Sequence, residues 1–362
     1  MVSPFRGFWN TLQGPRVGLA PMDGVTEASF RYMMAKTRTE AVPKAQNPCV
    51  IFTEFTNVEG LDHGAIKMLP AFLFHELERP IVGQIYGVDP EAFYRATLLL
   101  ASLDFDGVDL NMGCPAAKVA KQGSGAGLIR TPKLAQELIR VCQKAAHDWS
   151  NGITLEEGGV HPDLIEVAHT MRHKPLETLE RRLLPISVKT RIGYDTVVAR
   201  DWVSTLLETA PATITLHGRT LKQMYTGKAN WEVIGEMAVL VKASGVGTGL
   251  WGNGDIESMA EAEAKINDYG VEGVLVGRGA LGNPWFFQEK IPTVKEVLGA
   301  AIEHSEYREK ELPELPFAPI RKHLLWYCKD FPNAKELRMK LCGAANAGEV
   351  RGVIEDFLIS KN

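Results

Sequence analysis

Eight short runs dense in Val, Ile, Leu and Gly recur along the chain, and most intervals between them carry a helical hydrophobic period. They read RVGLAPM from Arg16, VIFTEF from Val50, PIVGQIYG from Pro80, DGVDLNMGC from Asp106, PISVKTRIG from Pro185, ATITLHGRT from Ala212, TGLWGNGDI from Thr248 and EGVLVGRG from Glu272. Runs of this kind suit parallel strands buried on both faces. Eight strand–helix units over roughly 270 residues predict an α/β chain closed into a (β/α)8 TIM barrel rather than an open doubly wound sheet. In such a barrel all the strand C-termini surround one mouth. Nearly every run ends in polar or glycine residues: Met22 with Asp23, Glu54, Gln84, Asn111 with Cys114, Lys189 with Arg191, His217 with Arg219, Asn253 with Asp255, and Arg278. One such residue would pass as loop chemistry; eight in register predict a shared site.

The chain has 362 residues, more than a barrel alone requires. A barrel over 1–290 and a small helical bundle over 291–362 are expected, because the tail has no β pattern and reads VKEVLGAAIEHSEYREKE, IRKHLLWYCKD, AKELRMKLCGA and AGEVRGVIEDFLIS. One barrel interval is oversized. After the helix pattern TPKLAQELIRVCQKAA, with Thr131 as its expected N-cap before Pro132, an insertion runs from about 147 to 183 and predicts two short helices, HPDLIEVAHTMRHK and PLETLERRLL. His169 and His173 have the spacing of a metal pair but no accompanying carboxylate or cysteine pattern, so a solvated insertion without metal is expected.

A net charge of -4 gives no sign of a bulk electrostatic binder of nucleic acid. The tail is nevertheless segregated. Glu296, Glu303, Glu306, Glu309, Glu311 and Glu314 mark its first stretch, and Arg321, Lys322, Lys329, Lys335, Arg338 and Lys340 the next, around Trp326 and Tyr327. This is either an ordinary solvated helix face or a surface for a phosphate backbone. The first twenty residues lack a signal-peptide core and no run is long enough to span a bilayer, so a cytoplasmic protein is expected. The cysteines, five in number, have no CxxC spacing and indicate neither a disulfide framework nor a zinc ribbon.

The seventh and eighth strand ends, Gly252-Asn253-Gly254-Asp255 and Gly277-Arg278-Gly279, suit a phosphate: glycines admit close backbone approach and Arg278 can clamp an oxyanion. A flavin mononucleotide would use the other residues of the mouth. Lys189 would stabilise the N1/O2 edge that gains charge on reduction, Gln84 would match the pyrimidine edge, and the Ala20-Pro21-Met22 backbone would lie against the ring. For Lys189 an ion pair with Glu54 or Asp109 is an equal alternative. Cys114, in NMGCP, is placed to donate a proton to a carbanion-like carbon; a buried inert thiol and a covalent nucleophile are the alternatives.

APMDGVTEASFR, TEF, GQIYG, VDLNMGCPAAKVAKQGSGAGLI, SVKTRIG, LHGRTLKQMYTGKANW, GNGDI and VGRGALGNPW, in order from about Gly18 to Phe286, together resemble the tRNA-dihydrouridine synthase family. The helical tail also resembles that family's tRNA-binding domain. The resemblance implies an FMN enzyme that uses NADPH or NADH to reduce the C5–C6 double bond of particular uridines in tRNA. By position, Pro21, Met22 and Asp23 would line the flavin, Gln84 and Lys189 would hold its pyrimidine edge, and His217 would sit by the ring. Asn253, Gly254, Asp255, Gly277 and Arg278 would hold its phosphate. Asn111 would bind the uracil edge, with Arg191 also on the substrate side, and Cys114 would protonate C5 opposite the hydride delivered to C6. Arg321, Lys322, Lys329, Lys335 and Arg338 would grip the RNA backbone, with the protein as a monomer.

Two rivals share some of these features. A flavin barrel acting on a small molecule leaves the basic tail unexplained, and a non-catalytic RNA-binding barrel leaves Cys114 and Lys189 unexplained. The insertion and the extended segment TRTEAVPKAQNPCVIF before the second strand depart from the usual family pattern without touching a motif residue.

Overall fold

The computed structural model describes residues 5–14, 16–41, 49–288 and 290–360. Part of the extended segment before the second strand, 42–48, lies outside these residues. The strands are β1 (Val17–Leu19), β2 (Ile51–Phe52), β3 (Thr56–Asn57), β4 (Ile81–Tyr86), β5 (Gly107–Met112), β6 (Ile186–Arg191), β7 (Thr213–His217), β8 (Gly249–Asn253) and β9 (Gly273–Val276). All pair in parallel in the order β2-β1-β9-β8-β7-β6-β5-β4-β3, and a further β2–β4 pairing closes the ring. The two-residue β3 only adds a rung to the end of β4. The eight predicted runs thus form the expected (β/α)8 barrel.

Period-two alternation sorts the strand side chains. Val108, Leu110, Val188, Ile214 and Leu216 are fully buried in the core shared with the surrounding helices. Asp109 and Asn111, Ser187 and Lys189, and Thr213 and Thr215 alternate with them on the opposite face. The base of the barrel interior is apolar: Phe52, Val82, Trp251 and Leu275 pack with Trp9, which meets Trp251 edge-on at 5.1 Å. Polar groups are confined above this plug, toward the mouth.

The helices are α1 (Ala28–Ala41), α2 (Val58–Asp62), α3 (Pro90–Ser102), α4 (Ala117–Lys121), α5 (Pro132–Ser150), α6 (Pro162–Met171), α7 (Ala199–Leu207), α8 (Trp231–Ser244), α9 (Met259–Tyr269), α10 (Val294–Glu311), α11 (Arg321–Tyr327), α12 (Ala334–Leu341) and α13 (Ala347–Ile359). Two local expectations need correction. Thr131 stands before α5 but its side chain makes no capping bond, so Pro132 alone marks that start. The second insertion helix is a single turn, Leu176–Thr178. The reason lies just downstream, where Arg181 stacks on Trp149 and donates to the Ile153 carbonyl while Arg182 pairs with Asp104 and Asp106. Adjacent residues drawn to different partners keep the chain extended. No helix among the described residues is long and apolar enough to cross a membrane.

Helices α10–α13 follow the four tail patterns and share an apolar cluster with Leu298, Leu324, Leu337, Leu341, Val350 and Ile354, which also takes in Met33 and Trp285. At the joint, Gly282 has a φ of 68° and a Cβ there would fall 2.1 Å from the Trp326 carbonyl oxygen, so only glycine fits. Beside α1, the buried Glu27 carboxylate pairs with Arg308, accepts from Ser29 Oγ at 2.6 Å, and lies 3.5 Å from His304 Nε2 and 3.7 Å from His323 Nε2. Burial pushes the Glu27 pKa up, but the hydrogen bond and charge of His304 and the charges of His323 and Arg308 hold it far below the carboxylate range.

Removing one partner of a buried pair leaves a charge unpaired, so Glu27→Ala should cost about 3–5 kcal/mol, read from urea unfolding at neutral pH. The folded-state pKa is depressed, so the stability that Glu27 contributes is complete above its unfolded value near 4.5 and fades as pH falls below it. The wild-type urea midpoint should fall through that acid range more steeply than that of the variant.

Candidate active site

Register brings the polar residues of the barrel together. Gln84 lies opposite Asp109, and Asp109 opposite Ser187; one step nearer the mouth, Asn111 lies opposite Lys189; at the rim, Arg191, His217 and Asn253 form consecutive partners. In a dry interior each polar group needs a partner. Gln84 Nε2 donates to Asp109 Oδ2 at 2.7 Å, Ser187 Oγ donates to Asp109 Oδ1 at 2.7 Å, and Asn111 Nδ2 donates to Gln84 Oε1 at 3.0 Å. Burial pushes the Asp109 pKa up to about 6, against the opposing hydrogen bonds from Gln84 and Ser187 and the charge of Lys189. Lys189 Nζ donates to Asn253 Oδ1 at 3.0 Å, and burial together with neighbouring Arg191 brings its pKa down to about 8. The ion pair with Glu54 or Asp109 that the sequence left open is therefore not what holds the ammonium. It donates to an amide, and Asp109 acts on it only through space.

Cys114 follows β5 on a loop fixed by Asn111, whose Oδ1 accepts from the N–H groups of Gly113 at 3.1 Å and Cys114 at 2.8 Å. Cys114 is buried, with 9% of the residue exposed. Burial raises its pKa, with Asp23 pushing the same way and Arg191 and Lys189 opposing. It is therefore a protonated thiol at neutral pH. Arg191 is anchored through Nε to the Gly113 carbonyl at 2.7 Å and through Nη1 to the Thr220 carbonyl at 3.1 Å. His217 is held neutral by burial and by the surrounding Arg191, Lys189, Arg219 and Arg278. Arg191 can only donate, so His217 Nδ1, 3.4 Å from Arg191 Nη1, accepts and the ring proton sits on Nε2.

The corner around β8 and β9 collects cations. Asp255 accepts from Arg219 Nη2 at 2.7 Å, from the Ala229 N–H at 2.7 Å and from Arg278 Nη2 at 3.1 Å. Burial raises its pKa, but the Ala229 N–H, Arg219 and Arg278 hold it below the usual carboxylate value. One carboxylate thus orients two guanidinium groups. Arg219 Nη1 is buried without a partner, and Arg278 is more than half exposed, with Tyr225 5.5 Å beneath it. Gly254, at φ 126°, has the Ala229 Cβ only 2.7 Å from where its own would be, so the backbone there is bare. Pro21 and Met22 are half-buried and Asp23 exposed, in a turn that Thr26 ties down by accepting from the Met22 N–H at 3.0 Å. A Cβ on Gly277 would approach Met22 Sδ to 3.4 Å, which closes this loop onto β9.

The five basic tail residues do not act alike. Lys322 comes to the mouth, its Nζ 3.3 Å from the Cβ position of Gly24 and its charge felt by Glu54. Lys335 is exposed. Arg321 and Arg338 donate within the tail, to the carbonyls of Ala344 at 2.8 Å and Cys328 at 3.0 Å, and Lys329 to the Leu281 carbonyl at 3.2 Å. From sequence Arg219 had only a place at the mouth, and Asp109 and Ser187 had no site role. Their signal was present in the alternation, because Asp109 shares a strand face with Asn111, and Ser187 with Lys189 and Arg191.

The sequence model described as dihydrouridine synthase (Dus) matches residues 18–152 and 161–359. The residues left unmatched between them, 153–160, fall inside the insertion. The chain is 34% identical over 358 residues to a probable tRNA-dihydrouridine synthase of Staphylococcus epidermidis, covering 97% of this chain and 96% of that protein. It is also 34% identical over 359 residues to a probable tRNA-dihydrouridine synthase 2 of Bacillus subtilis, with 97% and 96% covered. Among solved structures, a 2-naphthoyl-CoA reductase complex aligns over 78% of this chain and 52% of its own, at a TM-score of 0.46 and 9% identity, too slight a likeness to speak to function. With a family match along nearly its whole length, the chain belongs to the dihydrouridine synthase family.

Proposed function

We propose that this protein reduces the C5–C6 double bond of uridines in tRNA to 5,6-dihydrouridine, with flavin mononucleotide at the mouth and NADPH or NADH as the reductant. The observation that carries the reading is the Cys114 loop, held by Asn111 Oδ1 and by Arg191 Nε on the Gly113 carbonyl, on the rim that also carries Lys189. The residues present fit a flavin phosphate and ring. The bare backbone at Gly254, the partnerless Arg219 Nη1 and the exposed Arg278 suit a phosphate at the β8–β9 corner, with Asn253 and Gly277 beside it. Asp255 serves this corner by aiming the arginines rather than by touching the anion. Pro21, Met22 and Asp23 would line the ring, and Lys189, with Gln84 behind it, would face the pyrimidine edge. Bound there, the flavin supplies the hydride that adds to uracil C6.

The chain's own groups do the rest. Cys114 holds the proton that goes to C5, and its raised pKa keeps that proton in place at neutral pH. Asn111 uses one amide N–H on Gln84 and offers the other to a uracil carbonyl. Lys189, cationic below about pH 8, stabilises negative charge on the ring edge, and His217 presents a neutral Nε2–H to the same space. A uridine in folded RNA must swing out to reach this mouth. Lys322 at the mouth and Lys335 on the tail surface would meet its flanking phosphates.

Cys114→Ala should retain the flavin absorbance and lose about 100-fold or more of dihydrouridine formation, measured by mass spectrometry of tRNA. Turnover at the wild-type rate would remove Cys114 from the role. The Lys189 pKa near 8 sets a second outcome: flavin reduction by NADPH in stopped flow should slow as pH rises through that value and the ammonium is lost. In Lys189→Arg the guanidinium stays charged, so the decline should move to higher pH. Lys322→Ala and Lys335→Ala should each weaken tRNA binding and lower the slope of log K against log salt by about 1, as one lost phosphate contact requires.

A further inference from the structure

The mouth residues are joined by a hydrogen-bond chain that the proposed chemistry does not itself call for. It starts at the backbone N–H groups of Gly113 and Cys114, passes through the carboxamides of Asn111 and Gln84, and ends on Asp109. The rim end is slightly exposed, 9% at Cys114 and 7% at Asn111, and the inner end is closed off, 0% at Gln84 and 1% at Asp109. The chain therefore runs from the rim into the dry interior. Its direction is determined at both ends. Backbone N–H groups can only donate and an ionised carboxylate can only accept, so each amide between them has one permitted orientation. Ser187 Oγ occupies the other oxygen of Asp109 at 2.7 Å and keeps the carboxylate facing Gln84.

We propose that Asp109, held by Ser187, is a positioning residue that fixes the orientation of the Gln84 and Asn111 carboxamides and thereby the loop that carries the Cys114 thiol. Its consequence for turnover rests on the reading of Cys114 as proton donor. Its consequence for the accessibility of the thiol does not. Without an acceptor at 109, Gln84 Nε2 is left buried and unpaired, and the amides gain a second arrangement in which Asn111 releases the loop N–H groups.

The test uses the full chain in a Cys342→Ser background, because Cys49, Cys142 and Cys328 are buried and Cys342 is the exposed thiol among the described cysteines. Iodoacetamide labelling of Cys114 is followed by mass spectrometry, beside kcat and the tRNA Kd. Asp109→Leu should label about 10-fold faster and lose about 10-fold or more in kcat with an unchanged tRNA Kd, the range typical of lost supporting contacts. Asp109→Asn, which still offers an oxygen to Gln84 and an N–H to Ser187, should recover most of both. Should Asp109→Leu fail to fold, Gln84→Leu interrupts the same chain one link later and should show the same two changes. Labelling and kcat at the parent values in whichever of these folds would overturn the proposal, as would Asp109→Asn behaving no better than Asp109→Leu. Faster labelling in Asp109→Leu with full activity in Cys114→Ala would sink the catalytic reading and leave the positioning role standing.

Discussion

Closure of the parallel sheet governs everything at the mouth. The two rungs between β2 and β4, Ile51 with Ile81 and Phe52 with Val82, convert an open sheet with two edges into a ring. A ring has an inside, and its inside here is layered. Trp9, Phe52, Val82, Trp251 and Leu275 fill the base with apolar volume, so water has no path from below. The polar residues above this plug face only each other and the mouth. That enclosure makes their hydrogen bonds obligatory, and it explains why Gln84 and Asp109 are both buried and both partnered.

Enclosure also sets the charges. Lys189, Arg191, Arg219 and Arg278 converge on one rim, and burial plus mutual repulsion lowers the proton affinity of Lys189 and keeps His217 neutral. Asp255 answers two of the arginines but leaves Arg219 Nη1 without a partner. The corner thus carries an excess of fixed positive charge with bare glycine backbone beside it, the character that the proposed phosphate site requires. A net charge of -4 is compatible with this, because it sums 40 basic and 44 acidic residues over the whole chain while these cations converge on one rim.

The barrel was legible because its signal is repeated: eight apolar runs, each ending in polar residues, leave one architecture with one rim. Cys114, Lys189 and the arginines were legible for the same reason, since position at a strand end is a local property. What sequence could not supply was pairing. Whether Lys189 meets Glu54, Asp109 or Asn253 depends on barrel register, which no single run encodes, and the answer is an amide. The second insertion helix failed in the opposite way. PLETLERRLL has helical propensity, but Arg181 and Arg182 find Trp149 and Asp104 on the barrel, and those tertiary contacts override a local preference worth only tenths of a kcal/mol per residue, ~0.7 at most. The basic tail was legible as a pattern and divided only in three dimensions, where Arg321 and Arg338 turn inward to carbonyls and Lys322 and Lys335 remain available.

Besides the joint at Gly282, one short stretch of chain ties the mouth to the tail. Residues 21–27 leave β1 along the rim, turn at Met22 and Thr26, pass beneath Lys322 at Gly24 and end at Glu27, whose carboxylate is buried against Arg308, His304 and His323 of α10 and α11. The loop proposed to lie along the flavin is therefore the loop that fixes the tail. Neither can shift alone, since a displaced tail would strip Glu27 of its cation inside a dry interface, at a cost of several kcal/mol. A rigid joint of this kind keeps Lys322 of the tail beside the mouth at Gly24. The orientation of α10 and α11 against the barrel opening is then set by the contacts that Glu27 makes with Arg308, His304 and His323.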